Sequence, residues 1–442
     1  MTEQLAQTYP THVATMLQRA DAALEKGGHD HLLIAAGKLQ YRFEDDNPYP
    51  FAVNPHFKAW LPVTQAPGSW LAYTPGQKPR LIYLQPRDYW HVVPEAPEGY
   101  WTEHFDIAIV HTPDEVRQHL PKKPDSCAII GPADSGVEDV QPNRPQAVID
   151  YLRYHRAYKT DYEIECMREA NRIGARAHRA AEMAFRSGES EFGIQMAYLH
   201  ASGLTQEQLP YSNIVALNTH GAVLHYSHFE REPVASADSF LIDAGASFNG
   251  YASDITRTYA APDAEHFQAL IDDMEGMQRQ LCNQVRDGKS YAQLHIDAHH
   301  DIAHILNAHG LIRMAPEGAV ESGLSSHFFP HGLGHGIGLQ VHDIGGFMKS
   351  EDGGVIDKPD GHPYLRLTRD LARGMVVTIE PGLYFIDMLL EELKSKPEGK
   401  SVNWDKVDAM RKYGGIRIED DVVCTDDEPV NLTRAAFAET SA

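Results

Sequence analysis

The chain reads as an α+β protein in two parts: a smaller α/β domain over residues 1–158 and an α+β domain over residues 159–442. Three observations carry that reading. Short apolar runs, His31-Leu-Leu-Ile-Ala, Arg80-Leu-Ile-Tyr-Leu, Asp106-Ile-Ala-Ile-Val and Cys127-Ala-Ile-Ile, recur early in the chain, separated by turn residues and helical stretches. Thr160-Asp-Tyr-Glu163 has the form of a capping box, in which each end of the motif satisfies a backbone N–H of the other, and it opens a long helical pattern. Beyond that helix, strands bounded by Gly and Asn mix with further helices.

Taken in order, Val13, Met16, Leu17, Ala20 and Leu24 fall at helical spacing, and Gly27-Gly28 ends that helix. Asp114-Glu-Val-Arg-Gln-His-Leu120 is another helical stretch. The domain boundary is expected just before the capping box, around Tyr158, and the long helix then runs through Met167, Ala170, Ile173 and Ala177 to Ser187-Gly188. Asn249-Gly250 is a hairpin signal, flanked by strand-like Phe240-Leu-Ile and Ile255-Thr-Arg-Thr-Tyr. Met375-Val-Val-Thr-Ile-Glu380-Pro-Gly is an apolar strand ending in a carboxylate and a turn. In Gly414-Gly-Ile-Arg417-Ile-Glu419-Asp420 the period of two puts Arg417 and Glu419 on one face, Ile416 and Ile418 on the other.

Composition narrows the function classes. Hydrophobic residues are 42% and charged residues 23%, ordinary for a soluble globular protein. With 39 basic against 62 acidic residues the formal charge is -23, so nucleic acid is not an expected partner: phosphate binding needs a basic face. No apolar run approaches the ~18 residues of a membrane span, and Met1-Thr-Glu-Gln-Leu lacks the basic-then-apolar form of a secretory signal. Cys127, Cys166, Cys282 and Cys424 are far apart with no Cys-x-x-Cys, which fits small buried apolar residues in a reducing cytoplasm rather than a disulfide framework.

The hairpin holds the most telling pair. A two-residue Asn-Gly turn sets Asp243 opposite Thr256, with Asp254 a diagonal step away; a looser turn sets Asp243 opposite Asp254. Both registers put the two carboxylates on one face, where they repel, so a cation is expected between them. Three later segments offer companions: Pro330-His331-Gly-Leu-Gly-His335-Gly-Ile-Gly-Leu-Gln-Val-His342, whose glycines allow close backbone approach, the strand ending in Glu380, and the strand carrying Arg417 and Glu419. Four carboxylates with one imidazole make an oxygen-rich ligand set suited to Mn²⁺, Co²⁺, Fe²⁺ or Zn²⁺. Five side chains serve two ions only if some carboxylates bridge, as in two-metal hydrolytic sites.

These segments, Leu241-Ile-Asp243-Ala-Gly, Ser253-Asp254-Ile-Thr-Arg-Thr, Pro330-His331-Gly-Leu-Gly-His335, Thr378-Ile-Glu380-Pro-Gly and Gly415-Ile-Arg-Ile-Glu419-Asp, resemble in order and spacing the ligand motifs of the pita-bread metallopeptidases. Within them the chain is similar to the bacterial Xaa-Pro dipeptidases (prolidases), including organophosphorus acid anhydrolases. Asp45-Asp-Asn-Pro-Tyr-Pro-Phe, Val53-Asn-Pro-His-Phe-Lys-Ala-Trp60, Tyr211-Ser-Asn-Ile-Val-Ala-Leu-Asn and Leu224-His225-Tyr share the likeness. The resemblance implies a C-terminal pita-bread domain holding two divalent ions, Mn²⁺ by expectation, on Asp243, Asp254, His335, Glu380 and Glu419. Asp254 and Glu419 would bridge the ions, and a hydroxide held between them would attack the scissile carbonyl. It further implies Glu380 as proton shuttle, His331 and His342 facing the substrate, and His225, His331 and Arg417 meeting the carboxylate of an Xaa-Pro dipeptide. Asp46, with Tyr211 and His342, would meet its ammonium end. A homodimer, a cytoplasmic location, an N-terminal domain that limits substrate length, and side activity on organophosphorus esters and fluorides belong to the same expectation.

Other readings are weaker. His295, His299, His300, His304 and His309 include helical i,i+4 pairs, but without His-Glu-x-x-His they read as a partly solvated helix face. Gly245-Ala-Ser247-Phe-Asn-Gly250 misses the serine-hydrolase elbow by one residue. An Xaa-Pro aminopeptidase acting on longer peptides is the nearest alternative. Presence of all five ligand residues argues against a metal-free relative, whether a creatinase-like hydrolase or a binding module.

Overall fold

In the computed structural model, which describes residues 2–137 and 140–440, the capping box forms: Thr160 N–H donates to Glu163 Oε2 at 2.9 Å and Glu163 N–H to Thr160 Oγ1 at 3.4 Å. It starts the 26-residue helix Asp161–Arg186, closed by Gly188 at φ 80°. The chain divides into one unit of Met1–Cys166, Asn249–Tyr251 and Met348–Gly354, and a second of Met167–Phe248, Ala252–Phe347 and Val355–Ala442. The division falls inside the long helix, at Cys166. The first turn of that helix packs with N-terminal residues: the Tyr162 ring meets Tyr9 edge-on at 4.9 Å, and the Tyr251 hydroxyl donates to Glu163.

In the N-terminal unit the helix Thr2–Gly27 ends at Gly28, φ 68°, as its glycine pair predicts. Five strands follow in the spatial order Asp106–Val110, Arg80–Leu84, Trp70–Tyr73, His31–Ala35, Cys127–Ile130. The outer pairings are parallel and the two inner ones antiparallel. Trp70–Tyr73, the central strand, is absent from the sequence reading because Trp70, Leu71 and Tyr73 are all buried, which erases the alternation that marks a strand. Leu33, Trp70, Ile82, Val110 and Ile129 pack with Val116 and Leu120 from the helix Pro113–His119 and its C-cap. Each large apolar side chain so buried contributes roughly 1.5–3 kcal/mol before entropy is counted.

In the second unit, Phe240 and Ile242 of strand Ser239–Asp243 pack against Ala177, Ala181 and Phe185 of the long helix and Ile194 and Tyr198 of helix Glu191–Ser202. Alternation turns Leu241 and Asp243 to the opposite face. This strand lies between Ile214–Leu217 and Thr256–Ala260, antiparallel to both. The Asn-Gly turn takes φ 50° at Asn249 and 85° at Gly250, the two positive angles of a type I′ turn, and sets Asp243 opposite Thr256. Of the two registers open to the sequence, the tighter one forms.

A second sheet, in the order Val376–Ile379, Asp420–Val423, Val430–Asn431, and a ribbon pairing Gly382–Tyr384 with Gly415–Arg417 bring the remaining segments in. Glu419 N–H donates to Thr256 O at 3.1 Å, Thr378 N–H to His335 O at 2.9 Å, and Glu380 N–H to Leu333 O at 2.8 Å. Helices Glu265–Cys282 and Tyr291–Ala308 reach the same strand, where Gln278 donates to Ile379 O and the Tyr291 hydroxyl to Thr378 O. All four cysteines are buried and unpaired. Among the described residues no helix is long and apolar enough to cross a membrane.

Candidate metal centre

Those backbone ties gather the five expected ligands. Asp243, Asp254, His335, Glu380 and Glu419 all line one hollow of about 630 Å³ in the second unit. Asp254, His335 and Glu419 each offer a ligand atom within 4.8 Å of the other two. Glycine makes the approach of the histidine loop possible: a Cβ on Gly334 would lie 2.4 Å from Thr378 O and 2.5 Å from the Tyr291 hydroxyl. Thr378 Oγ1 then receives the His335 N–H at 3.1 Å. His335 Nδ1 is 3.1 Å from Gly336 O, a contact that needs an N–H, so Nε2 is the nitrogen that faces Asp254 Oδ2, 3.4 Å away, and Glu380 Oε1, 3.5 Å away.

The polar groups present do not balance this cluster. The Tyr211 hydroxyl lies 2.7 Å from Asp243 Oδ1 and 2.5 Å from Asp254 Oδ1, yet it has one proton for two acceptors. Arg417 donates from Nη2 to Asp243 Oδ2 at 2.6 Å and is the guanidinium hydrogen-bonded to a carboxylate of this cluster. Four ionised carboxylates set against Arg417, with His335 neutral as an ion-bound imidazole is, leave three negative charges in the cluster. A divalent ion fits this donor set: hard carboxylate oxygens, one imidazole nitrogen with its other nitrogen anchored, and a deficit of positive charge.

The titration behaviour reflects the same deficit. Burial, with the charges of Asp254, Glu380 and Asp243, holds Glu419 well above the usual carboxylate range. Burial raises Glu380 to about 7 against the pull of His335 and Arg417. Burial also raises Asp243, partly offset by Arg417. Asp254 falls below its ordinary value, since the His335 contact and the Tyr211 hydroxyl outweigh burial. Burial alone would lower His335, but Asp254 and Glu380 lift it to about 9.

A pH dependence follows for the chelated protein. The raised His335 stabilises the fold fully below the unfolded value of ~6.5, and that contribution is lost as pH climbs through about 9. Glu380 adds a penalty that grows from its unfolded pKa of ~4.3 to about 7. Both act in the same direction. The chelated protein is expected to melt lower at pH 9 than at pH 6.5, with the difference shrinking when ions are restored; a flat or rising Tm would contradict it.

The other expected site residues are placed differently from one another. His331 Nδ1 contacts Gly332 O at 2.8 Å and Nε2 contacts the Tyr384 hydroxyl at 2.9 Å, while burial brings its pKa down to about 3. His342 stands edge-on to His335 at 4.4 Å and, lowered mainly by burial to about 4, has no hydrogen-bond partner among the described residues. His225 is exposed and lines the hollow. Asp46 lies in an exposed segment of the N-terminal unit beside Asn47. Arg417 and Tyr211, expected as substrate contacts, both have partners inside the site. Arg417 is 4% exposed and its nitrogens are committed to Asp243, the Tyr384 hydroxyl and Thr256 Oγ1. The Tyr211 hydroxyl is taken up by the aspartate pair.

Several residues of the site are missing from the sequence reading. Thr256 Oγ1 donates to Glu419 Oε2 at 2.6 Å, and Tyr384 links Arg417 to His331. Arg366 lines the hollow, exposed and with no ion pair among the described residues. Of these only Thr256 left a signal, its place opposite Asp243 in the register that the Asn-Gly turn sets. The helix histidines also differ from expectation: His295 and His299 are each 1% exposed rather than solvated, because that face of the helix packs on Ser325, Phe329 and His362.

Comparison with known proteins decides the family. The metallopeptidase family M24 pattern matches residues 165–426, and the domain described as Xaa-Pro dipeptidase, N-terminal domain, matches residues 7–154. The chain belongs to metallopeptidase family M24. The Xaa-Pro dipeptidase of Xanthomonas campestris pv. campestris (strain 8004) is 57% identical over 434 residues, 98% of each chain. That of Stenotrophomonas maltophilia (strain K279a) is 56% identical over 430 residues, 97% of each. Among solved structures, proline aminopeptidase P II from Yersinia pestis superposes with a TM-score of 0.69 at 24% identity, covering 98% of this chain and 99% of its own. Zn-substituted E. coli aminopeptidase P in complex with product gives 0.68 at 22% identity, covering 98% and 95%. At that identity the likeness speaks for the fold: this M24 chain has a pita-bread domain preceded by a smaller α/β domain.

Proposed function

We propose that this M24 enzyme is an Xaa-Pro dipeptidase working with two divalent ions, Mn²⁺ in the first instance, held by Asp243, Asp254, His335, Glu380 and Glu419. The observation that supports the reading most is the full-length identity of 57% to a curated Xaa-Pro dipeptidase, together with five ligand-type side chains around one hollow. Two dications would turn the three surplus negative charges of the cluster into one positive charge, which suits a carboxylate-bearing substrate. When bound, such ions supply Lewis acidity toward the scissile carbonyl and toward water.

The chain's own residues would do the rest. A prolyl nitrogen carries no hydrogen in the peptide and must be protonated to leave. Glu380, which lines the hollow, is assigned to take a proton from attacking water and return it to that nitrogen. Arg417 holds Asp243, and Thr256 holds Glu419, so neither carboxylate has to be oriented at the moment of reaction. His342 is neutral with an N–H to offer the developing oxyanion, and His331, tied to Tyr384, forms the wall beside it. The substrate carboxylate is met by His225 and Arg366, a guanidinium with no ion pair among the described residues. Asp46 is assigned to the ammonium end, and substrate-length restriction and homodimer contacts to the N-terminal domain. Hydrolysis of organophosphorus esters and fluorides would be a side activity of the same site, and the cytoplasm its setting.

Two measurements test the reading. Protein loaded with Mn²⁺ is expected to cleave Ala-Pro and to leave Ala-Pro-Ala essentially intact, with chelation abolishing the activity. Comparable turnover of the tripeptide would make it an aminopeptidase, and activity indifferent to chelator would remove the metal. Arg366→Ala is expected to raise KM for Ala-Pro roughly 10- to 100-fold, since a lost charge-assisted bond costs about 1.5–3 kcal/mol, with Tm unchanged. An unaltered KM would clear Arg366 of that role.

A further inference from the structure

The histidines of helix Tyr291–Ala308 separate by face. His295 and His299, one helical turn apart, point inward, and a half-buried third imidazole, His362, joins them from the loop ahead of Pro363. The three ring centroids stand 4.8, 4.7 and 4.7 Å apart, each pair strongly inclined. One nitrogen of each lies within 4.8 Å of one nitrogen of both others, and His295 Nε2 is 2.9 Å from His362 Nδ1. His299 Nδ1 is fixed by Ser325 Oγ at 3.0 Å, so its Nε2 is left without a hydrogen-bond partner among the described residues. His295 Nδ1 is buried without one. An unpaired buried polar atom costs about 1–3 kcal/mol, which packing alone does not explain.

The chemistry of the group is specific. Burial keeps all three imidazoles neutral, with His295 lowered to about 3 and His299 to about 2, so their lone pairs are available. No carboxylate belongs to the triad. Three neutral nitrogens favour Zn²⁺ and its late-transition neighbours over Mn²⁺ or Mg²⁺, the reverse of the carboxylate-rich centre. The residues line a cavity of about 210 Å³, room for a water in a fourth position. We propose that His295, His299 and His362 form a further metal site, for one nitrogen-preferring divalent ion of the zinc class. An ion at Zn–N distances of about 2.0–2.1 Å would replace the N–H···N hydrogen bond of the 2.9 Å pair, with the proton between them moved to the far nitrogen of its ring and all three lone pairs turned to one point. Pro363 and Tyr364, beside His362, line both this cavity and the hollow of the main centre, so an ion here would pin the loop that walls the cleft.

The test counts zinc on the full-length protein. Wild type, His299→Ala and His362→Ala are chelated, titrated with Zn²⁺, freed of excess and assayed for bound zinc by elemental mass spectrometry. Each variant is expected to hold one equivalent fewer than wild type. Co²⁺-loaded wild type is expected to show an intense visible band, from a four-coordinate nitrogen-rich site, that both variants lack. Equal zinc counts in the three proteins, or a Co²⁺ spectrum untouched by either substitution, would overturn the site and leave a packed triad. Should His299→Ala misfold, His362→Ala, altered at a half-buried loop position, carries the comparison alone. The readout is a difference in zinc count, so it stands whether or not the dipeptidase reading does.

Discussion

Glu419→Gln is expected to abolish hydrolysis and ion retention while leaving the chelated protein about as stable as wild type. The reason lies in the surroundings of Glu419. It is 2% exposed, and burial together with Asp254, Glu380 and Asp243 holds its pKa well above the carboxylate range, so without ions the protonated form is favoured. Glutamine has the shape and charge of that protonated acid, and the Thr256 hydroxyl, 2.6 Å from Oε2, can still donate to an amide oxygen. The chelated fold therefore loses little. The loaded state depends on the carboxylate form. Ions at about 1,000 times their Kd add about 4 kcal/mol to wild type, most of which the variant should lack. A fall in kcat/KM of roughly 10³-fold or more is expected, about 4 kcal/mol of barrier. Melting with and without Mn²⁺, metal counting and dipeptide turnover check it together. A variant with an undiminished ion-dependent rise in Tm would remove Glu419 from the ligand set.

That asymmetry depends on features of unequal legibility in the sequence. The register of Asp243 against Thr256 was legible because an Asn-Gly turn fixes it locally through two positive φ angles. The glycines around His335 announced close approach, and the strand periods placed Arg417 and Glu419 on one face. What those groups touch was not legible. The contact of Arg417 with Asp243 spans 174 positions, and no local pattern tells a guanidinium facing a substrate from one neutralising a neighbour. Helical spacing identified His295 and His299 as a pair, but periodicity gives no direction, and the inward direction was decided by Ser325, Phe329 and His362.

The acidic run after Arg417 shows the same limit. Glu419, Asp420 and Asp421 are adjacent in sequence, yet each does something different. Asp420 turns to Arg257 and Arg434, whose charges outweigh burial and hold it far below the usual range. Asp421 accepts the Asp254 N–H at 3.2 Å and an Asn171 N–H at 2.8 Å, so it supports a ligand from behind. Alternation along the strand assigns sides, but only the tertiary neighbours assign partners.

Arg417→Ala is expected to cost about 3–5 kcal/mol of stability, the range for breaking a buried charge pair by removing one partner. Asp243 would lose a 2.6 Å bond to the guanidinium and keep only its half-share of the Tyr211 proton, inside a site where burial already raises its pKa. Tyr384 would lose its donor as well, loosening the hydroxyl that reaches His331. Arg417→Lys should recover part of the loss, since an ammonium can meet Asp243 but cannot span Asp243, Tyr384 and Thr256 at once. Ions restored at saturating concentration should narrow the gap, because they also compensate Asp243. The order of Tm is therefore wild type, then Lys, then Ala, with the spread largest in chelator and bound metal falling in the same order. A residue that instead receives the substrate carboxylate would behave otherwise: KM for Ala-Pro would rise many-fold while Tm and metal content stayed at wild-type values. That outcome would return Arg417 to the substrate and take it away from Asp243.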